Sequence, residues 1–448
     1  MYKLLRKTAV IVLLTAATLL SGAEKAAGKV DMQLLLKARQ GDAQAQLETG
    51  FAFFKLGNPV RAAYWFHAAA MQGLPAAEYN LARCYLEGFG VSKNPYKALE
   101  LLEKAAGKNI LQAQLALAKL CLSGAPADPD ARPPQPELPR NEKRALELLE
   151  KLTEQNVPDA LTMYAAYLAK QKNHDPQQVI KMLDQAAEQN DAKACMILAD
   201  YLLNRHDSLR DEAHARKLLE KASAENPEAM ARFAYMVENG FGAPPDLPRA
   251  FELYNKSLQQ EFSLLAAVKT ANYLFTGKGG VKQDIPQAIK LYSRAADAGV
   301  PEALTNLGEC YRSGIGVNTD KERAFDMFFK AAQQDYPTAQ YALGRAFAAG
   351  EGTQEDQKAA FFWFRQAAMR YDPRAMLETG LRYLEGRGTD PDPAQAVIFL
   401  EQAYANGMTA ALIPLQRAKR LPQVPALPQA QPTPGFRLRP SPAPSNRR

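Results

Sequence analysis

The chain has 448 residues, of which 47% are apolar and 23% charged, and a formal net charge of +7. That length fits two or three globular domains or one elongated repeat array, and the apolar share is ordinary for a folded protein. The charge excess sits at the ends: Lys3, Arg6 and Lys7 contribute +3 within residues 1–23, and Arg437, Arg439, Arg447 and Arg448 contribute +4 within residues 421–448. Residues 24–420 are therefore neutral, which excludes the basic field that a nucleic-acid binder needs.

Residues 1–23 read as a secretory signal. A basic start precedes the apolar stretch TAVIVLLTAATLL (residues 8–20), which is too short to span a bilayer comfortably, and Ser21, Gly22 and Ala23 offer a cleavage site after Ala23. No cysteine follows the stretch, so a lipoprotein anchor is not expected. No second run of 18 apolar residues occurs, so the mature chain is expected to insert in no membrane and to lie in the periplasm or outside the cell.

Residues 31–39 (DMQLLLKAR) predict a lone capping helix. From residue 45 a ladder begins: Ala, an apolar residue at +4, a small one at +5 and a bulky one at +8. It recurs at Ala45, Ala77, Ala113, Ala160, Ala194, Ala229, Ala266, Ala303, Ala339 and Ala375, with a partial step at Ala411, and most steps are 34 to 37 residues. A second ladder runs in phase, with Ala followed by bulky residues at +3 and +4 and a small one near +7. Examples are Ala62 with Trp65, Phe66 and Ala69, and Ala360 with Trp363, Phe364 and Ala367. Both spacings are helical, so each repeat predicts two antiparallel helices, A and B. The small residue at +5 of helix A lets helix B approach, and Pro75, Pro158, Pro227, Pro301, Pro337 and Pro373 suit the first turn of a helix A. One hairpin cannot bury its apolar face alone, so repeats must stack.

The stretch FTGKGGVKQD (residues 275–284) resembles the start of a phosphate-cradling loop, but Gly277 falls at +11 of its repeat. The same slot holds Gly88, Gly240, Gly314, Gly350 and Gly386. Glycine there is expected to close helix A in the left-handed conformation; a nucleotide loop would follow a strand and lead with Lys-Ser/Thr into a helix. Residues 124–139 interrupt repeat 3, and their prolines predict a protruding loop or extended strip. Repeats 4 and 5 lack the glycine turn. Residues 411–420 predict a partial helix A, and residues 421–448, rich in Pro, Gln, Ala and Arg, predict a disordered spacer.

The period near 36, the Ala-x3-Leu-Gly-x2-Tyr signature of residues 303–311, the Gly-x-Gly-Val turn and the Ala-x2-Trp/Tyr-x3-Ala-Ala helix resemble Sel1-like repeats, relatives of tetratricopeptide repeats, over residues 31–420. The resemblance implies an all-α fold, a right-handed α-α superhelix (solenoid) of about ten helix-turn-helix repeats, acting as a non-catalytic scaffold for protein partners in the bacterial envelope. It also suggests jobs such as regulating an envelope sensor, supporting a secretion machine or modulating a cell-wall enzyme. Two alternatives accompany it: a cell-wall or β-lactam hydrolase of the cysteine-rich Sel1-like type, and a secreted effector that binds host proteins.

The chain holds no Ser-x-x-Lys, Gly-x-Ser-x-Gly or His-Glu-x-x-His, and its four histidines (His67, His174, His206, His214) form no ligand spacing, so no catalytic residue, metal or cofactor is expected. Cys84, Cys121, Cys195 and Cys310 lack the paired cysteines that mark the cysteine-rich members. Cys84 and Cys310 share one slot in distant repeats and cannot pair. Cys84 and Cys121 lie on adjacent A helices, so a disulfide between them stays open beside the reading of buried free thiols.

In related arrays helix A lines the concave face. With 0, +1, +4, +5 and +8 in the core, positions −1, +2, +6 and +9 should face a partner. There the chain carries Leu47, Phe51 and Phe54, then Tyr79, Arg83 and Leu86, and later Tyr235, Tyr341, Arg345 and Leu381. Phe51, Phe54, Tyr79, Arg83, Tyr235, Tyr341 and Arg345 are the candidate partner-binding residues, since Tyr and Arg commonly anchor interfaces. Partial burial against neighbouring A helices is the alternative for each.

Overall fold

The structure, a computed structural model, describes residues 30–421 apart from 127, 129–133, 135 and 206. The expected export signal and the tail beyond Leu421 lie outside the described residues. Among the described residues the chain forms helices and no strand.

The described residues form two compact units of five repeats each, divided between Ala222 and Ser223. The first opens with α1 (Met32–Arg39), the expected cap. Its A and B helices then alternate: α2 (Ala43–Lys55) and α3 (Pro59–Met71), α4 (Pro75–Glu87) and α5 (Pro95–Gly107), α6 (Leu111–Ser123) and α7 (Glu142–Glu154), α8 (Pro158–Leu168) and α9 (Pro176–Glu188), α10 (Ala192–Leu203) and α11 (Glu212–Ala222). The second unit holds α12 (Pro227–Asn239) and α13 (Leu247–Gln260), α14 (Leu264–Thr276) and α15 (Ile285–Asp297), α16 (Pro301–Ser313) and α17 (Lys321–Ala332), α18 (Pro337–Ala349) and α19 (Gln357–Met369), α20 (Pro373–Glu385) and α21 (Pro393–Ala405). A 3-10 turn, Thr409–Ala411, leads into the partial helix α22 (Leu412–Arg420), and another, Lys278–Gly280, follows α14. Within each unit every helix packs on the next, and alternate helices approach one another along the A layer, as α6 does α8 and α16 does α18.

Local chemistry explains each boundary. Helices B start at an Asp or Asn whose side chain accepts a backbone N–H two or three residues on: Asn58, Asn94, Asn141, Asp175, Asp211, Asp246, Asp284, Asp320, Asp356 and Asp392. Such a cap satisfies an otherwise orphaned donor and contributes about 1 kcal/mol. Six helices A end, as expected, at a left-handed glycine; Gly277 is one, at φ 72°. No strand leads into residues 275–284, and Lys278 reaches back to the Glu238 carboxylate at 3.1 Å, so its charge serves the stack.

All ladder alanines of helix A are buried, Ala77, Ala303 and Ala339 at 0% exposure. The +5 rule holds in detail. A Cβ on Gly344 would lie 2.8 Å from the Phe364 ring, one on Gly308 2.7 Å from Phe328, and one on Gly50 2.5 Å from Phe66. Opposite Leu102, Leu149 and Tyr292 of helix B the +5 residue is alanine (Ala82, Ala118 and Ala271), whereas opposite Leu400 it is Gly380, where a Cβ would lie 2.6 Å from the leucine. In most hairpins a smaller +5 residue thus accompanies a larger partner on helix B, as close packing requires.

The insert after α6 is anchored at its base. Ala125 and Leu138 exchange backbone hydrogen bonds at 2.9 Å, Leu138 is buried, and the Tyr96 hydroxyl donates to the Glu137 carbonyl at 2.8 Å. All four cysteines are free and buried, which answers the open pairing of Cys84 with Cys121 in favour of thiols.

Candidate functional site

The proposed partner face needs one correction. Leu47, at +2, is buried to 5% exposure in the first core, with Leu35 and Ala38 of α1. Val268 and Thr305, also at +2, are buried too. The reason is geometric: within a unit successive A helices lie side by side, so +2 falls in the stack, whereas +6 and +9 of α2 remain open.

At +6 and +9 of α2, Phe51 and Phe54 are 41% and 42% exposed. They line a small open cleft of ≈ 70 Å³ between α2 and α4, with Phe66, Phe89, Asn80, Arg83, Cys84 and Glu87. The Phe51 ring meets Phe66 edge-on at 5.2 Å, and Phe54 lies 4.8 Å from Phe89. Arg83 stands at the rim, 3.8 Å from Glu87. Such an exposed i,i+4 pair contributes at most about 0.5 kcal/mol, so the guanidinium can change partner at little cost. Tyr79 is half-buried against the next core and stacks under Arg83, with 6.0 Å from guanidinium carbon to ring centre. Phe89 and Asn80 escaped the sequence reading. Phe89 is the residue between the two glycines of EGFGV, a slot that also holds Phe241 and Ile315.

In the second unit the candidates have other employment. Tyr235 is 40% exposed, yet its ring carries the Lys269 ammonium at 5.7 Å and lies 6.1 Å from Phe241. Tyr341 is half-buried, 5.6 Å from the Phe364 ring and under the Arg374 guanidinium at 4.6 Å, and burial pushes its hydroxyl pKa up. Arg345 reaches Glu309 at 3.9 Å. Around them the A face is bound to itself. Asn272 accepts from the Tyr292 hydroxyl at 2.6 Å and from the Asn306 amide at 3.0 Å, and donates to Glu302 at 2.8 Å. Arg312 reaches Glu351 of the next repeat at 3.9 Å, and Lys321 joins the same carboxylate at 3.0 Å. Polar groups paired across repeats stabilise a stack; the apolar cleft of the first unit has no such internal partner.

No group of three or more His, Cys, Asp or Glu side chains capable of holding a metal ion occurs among the described residues. His67 is exposed, His214 pairs with Asp184 at 3.1 Å, and His206 lies outside the described residues. Burial pushes the Cys84 and Cys310 thiols up to about 11, and raises Cys121 and Cys195 as well. A nucleophilic cysteine needs the opposite shift. The folded chain thus holds thiol protons that the unfolded chain releases near pH 9. Their stabilising contribution is complete below that value and is lost as pH rises toward about 11. Native protein at about pH 8 should therefore react slowly with a thiol reagent, and Cys84→Ala/Cys310→Ala should flatten the alkaline fall in denaturation midpoint.

Among the described residues, no helix is long and apolar enough to cross a membrane. The Sel1 repeat family model matches residues 44–74, 75–109, 135–157, 192–226, 227–262, 264–300, 301–336, 337–372 and 373–408. The helix pair α8 and α9 forms between these matches with the same packing. Among solved structures, the chain is similar to c5321, a protective antigen of uropathogenic Escherichia coli with an SLR fold. That match has 23% identity over 87% of this chain and 91% of that one, with a TM-score of 0.47. A Sel1 repeat protein from Oxalobacter formigenes matches at 28% identity over 58% of this chain and 99% of that one, TM-score 0.45. No curated protein sequence matches. Helix pairs stacked within each unit, with nine segments matched in sequence, have one reading: the chain belongs to the Sel1 repeat family, whose stacked hairpins generally serve as scaffolds for protein–protein interaction.

Proposed function

We propose that this protein is an exported, non-catalytic interaction scaffold of the bacterial cell envelope, periplasmic or secreted, and that a protein partner docks in the cleft of repeats 1 and 2. The signal-like residues 1–23 support export. The cleft carries the docking reading: Phe51 and Phe54 remain over two-fifths exposed on a face where the rest of the fold buries its aromatics or ties them to charges. Exposed aromatic side chains beside a loosely held arginine are the composition of an interface centre. The raised thiols and the lack of a hydrolase motif weigh against the hydrolytic alternative.

The test is in-cell crosslinking followed by affinity capture of the mature chain. Wild type should retain a partner that Phe51→Ala/Phe54→Ala and Arg83→Ala weaken at least tenfold, about 1.4 kcal/mol, while Tyr235→Ala leaves it unchanged. Capture that is equal in all variants would remove the cleft from the interface. Fractionation of periplasm and medium decides the compartment.

A further inference from the structure

Repeats 4 and 5 lack the Gly-x-Gly turn, and side chains join them there instead. His174, in the turn after α8, places Nδ1 2.7 Å from the Gln171 carbonyl and Nε2 2.8 Å from the hydroxyl of Tyr201 on α10. Arg205 donates to the same phenol oxygen at 2.9 Å, packs over the Tyr201 ring at 5.2 Å and is held by the Asp207 carboxylate at 2.7 Å. The donor inventory sets the tautomer. A carbonyl only accepts, so Nδ1 carries the proton. The Tyr201 oxygen receives Arg205, so its own hydrogen points to Nε2, which must be bare. The chain Arg205 to Tyr201 to His174 to Gln171 thus runs through a neutral imidazole, with the Tyr201 hydroxyl donating to Nε2.

We propose that this junction is a proton-sensitive joint: neutral His174 locks the turn of repeat 4 onto helix A of repeat 5, and its protonation releases the lock. Histidine changes charge between about pH 5 and 8. A proton on Nε2 sets a donor where the acceptor lone pair was and leaves the Tyr201 hydrogen without a partner. It also brings an imidazolium and the Arg205 guanidinium to one phenol oxygen. The two carboxylates facing the cluster are already engaged, Asp207 with Arg205 and Asp175 as the cap of α9 through the Gln177 N–H. Any partner contact made by these repeats would then weaken in acid.

The experiment is hydrogen exchange of the full chain, corrected for intrinsic rates, at about pH 7.5 and about pH 5. Peptides covering 169–175 and 199–211 should lose protection roughly fivefold in acid, the equilibrium shift from losing one hydrogen bond, while repeats 7–10 stay constant. His174→Gln supplies a permanent acceptor and should abolish the pH dependence. Tyr201→Phe should leave both peptides loosely protected at either pH. Nitrogen NMR of the imidazole should report the Nδ1–H form at the higher pH. No acid loss in wild type, an equal loss in His174→Gln, full protection in Tyr201→Phe, or the Nε2–H tautomer would overturn the joint.

Discussion

Gly352→Ala is expected to destabilise the second unit by about 3 kcal/mol or more. Gly352 is the second glycine of the turn that follows α18, at φ 71°, and a Cβ there would lie 2.0 Å from the Lys321 carbonyl oxygen. Lys321 opens α17, helix B of the preceding repeat, so the turn of one repeat rests directly on the backbone of the last. The clash is with main chain, and relief requires the two repeats to separate. Left-handed strain adds about 1–2 kcal/mol for a residue with a Cβ. Gly280→Ala is the matched control: its φ is 78°, yet nothing lies within 4 Å of the new carbon. It should cost only the conformational strain, about 1 kcal/mol. Denaturant midpoints of the two variants give the difference. Exchange protection should fall first in repeats 8 and 9, because coupling in such arrays is between nearest neighbours. Equal effects of both substitutions would show that the close approach is not a stability determinant.

The second large effect is expected at Lys108. Its ammonium donates to both Glu78 oxygens, at 2.9 and 3.0 Å, and to the Gly73 carbonyl at 2.9 Å. The Glu78 carboxylate is only 5% exposed, whereas Lys108 is 42% exposed. Removing the cation leaves a buried charge without its partner, at a cost of about 3–5 kcal/mol in a fully buried pair. Solvent reaches the lysine side, so Lys108→Met should cost about 2–3 kcal/mol. Adding Glu78→Gln removes the orphaned charge and should restore more than half of that loss. A double substitution no more stable than Lys108→Met alone would mean that the lysine acts only through the Gly73 carbonyl.

The same position of helix B has this task elsewhere. Gln189 donates to the Asn156 carbonyl at 3.1 Å and Gln334 to the Gly299 carbonyl at 2.9 Å, each clasping the previous repeat. On helix A, the +1 glutamines Gln46, Gln114 and Gln340 cap the last carbonyls of the preceding helix through Ala38, Ala106 and Ala332. Both sets recur in register, so the signal was present in the sequence. It was unread because a polar residue beside an apolar stripe looks the same whether it meets water or a carbonyl of the neighbouring repeat.

What the amino-acid order determined alone is everything that lies within one hairpin. Alanine at position 0, a small residue at +5 opposite a bulky partner, Asp or Asn before helix B and glycine after helix A are local choices with one steric or hydrogen-bonding solution each. They placed the helices, the ten repeats and the cap, and they placed Phe51 and Phe54 on an open face. The tertiary structure decided which side of helix A its neighbour covers, and so buried Leu47 and joined Phe89 to Phe54 in a cleft. It also decided that Tyr341 and Arg345 belong to a network internal to the second unit, and that His174 meets Tyr201. Those outcomes depend on how successive repeats are offset when they stack, a relation between residues roughly thirty apart that the periodicity of a single helix does not carry.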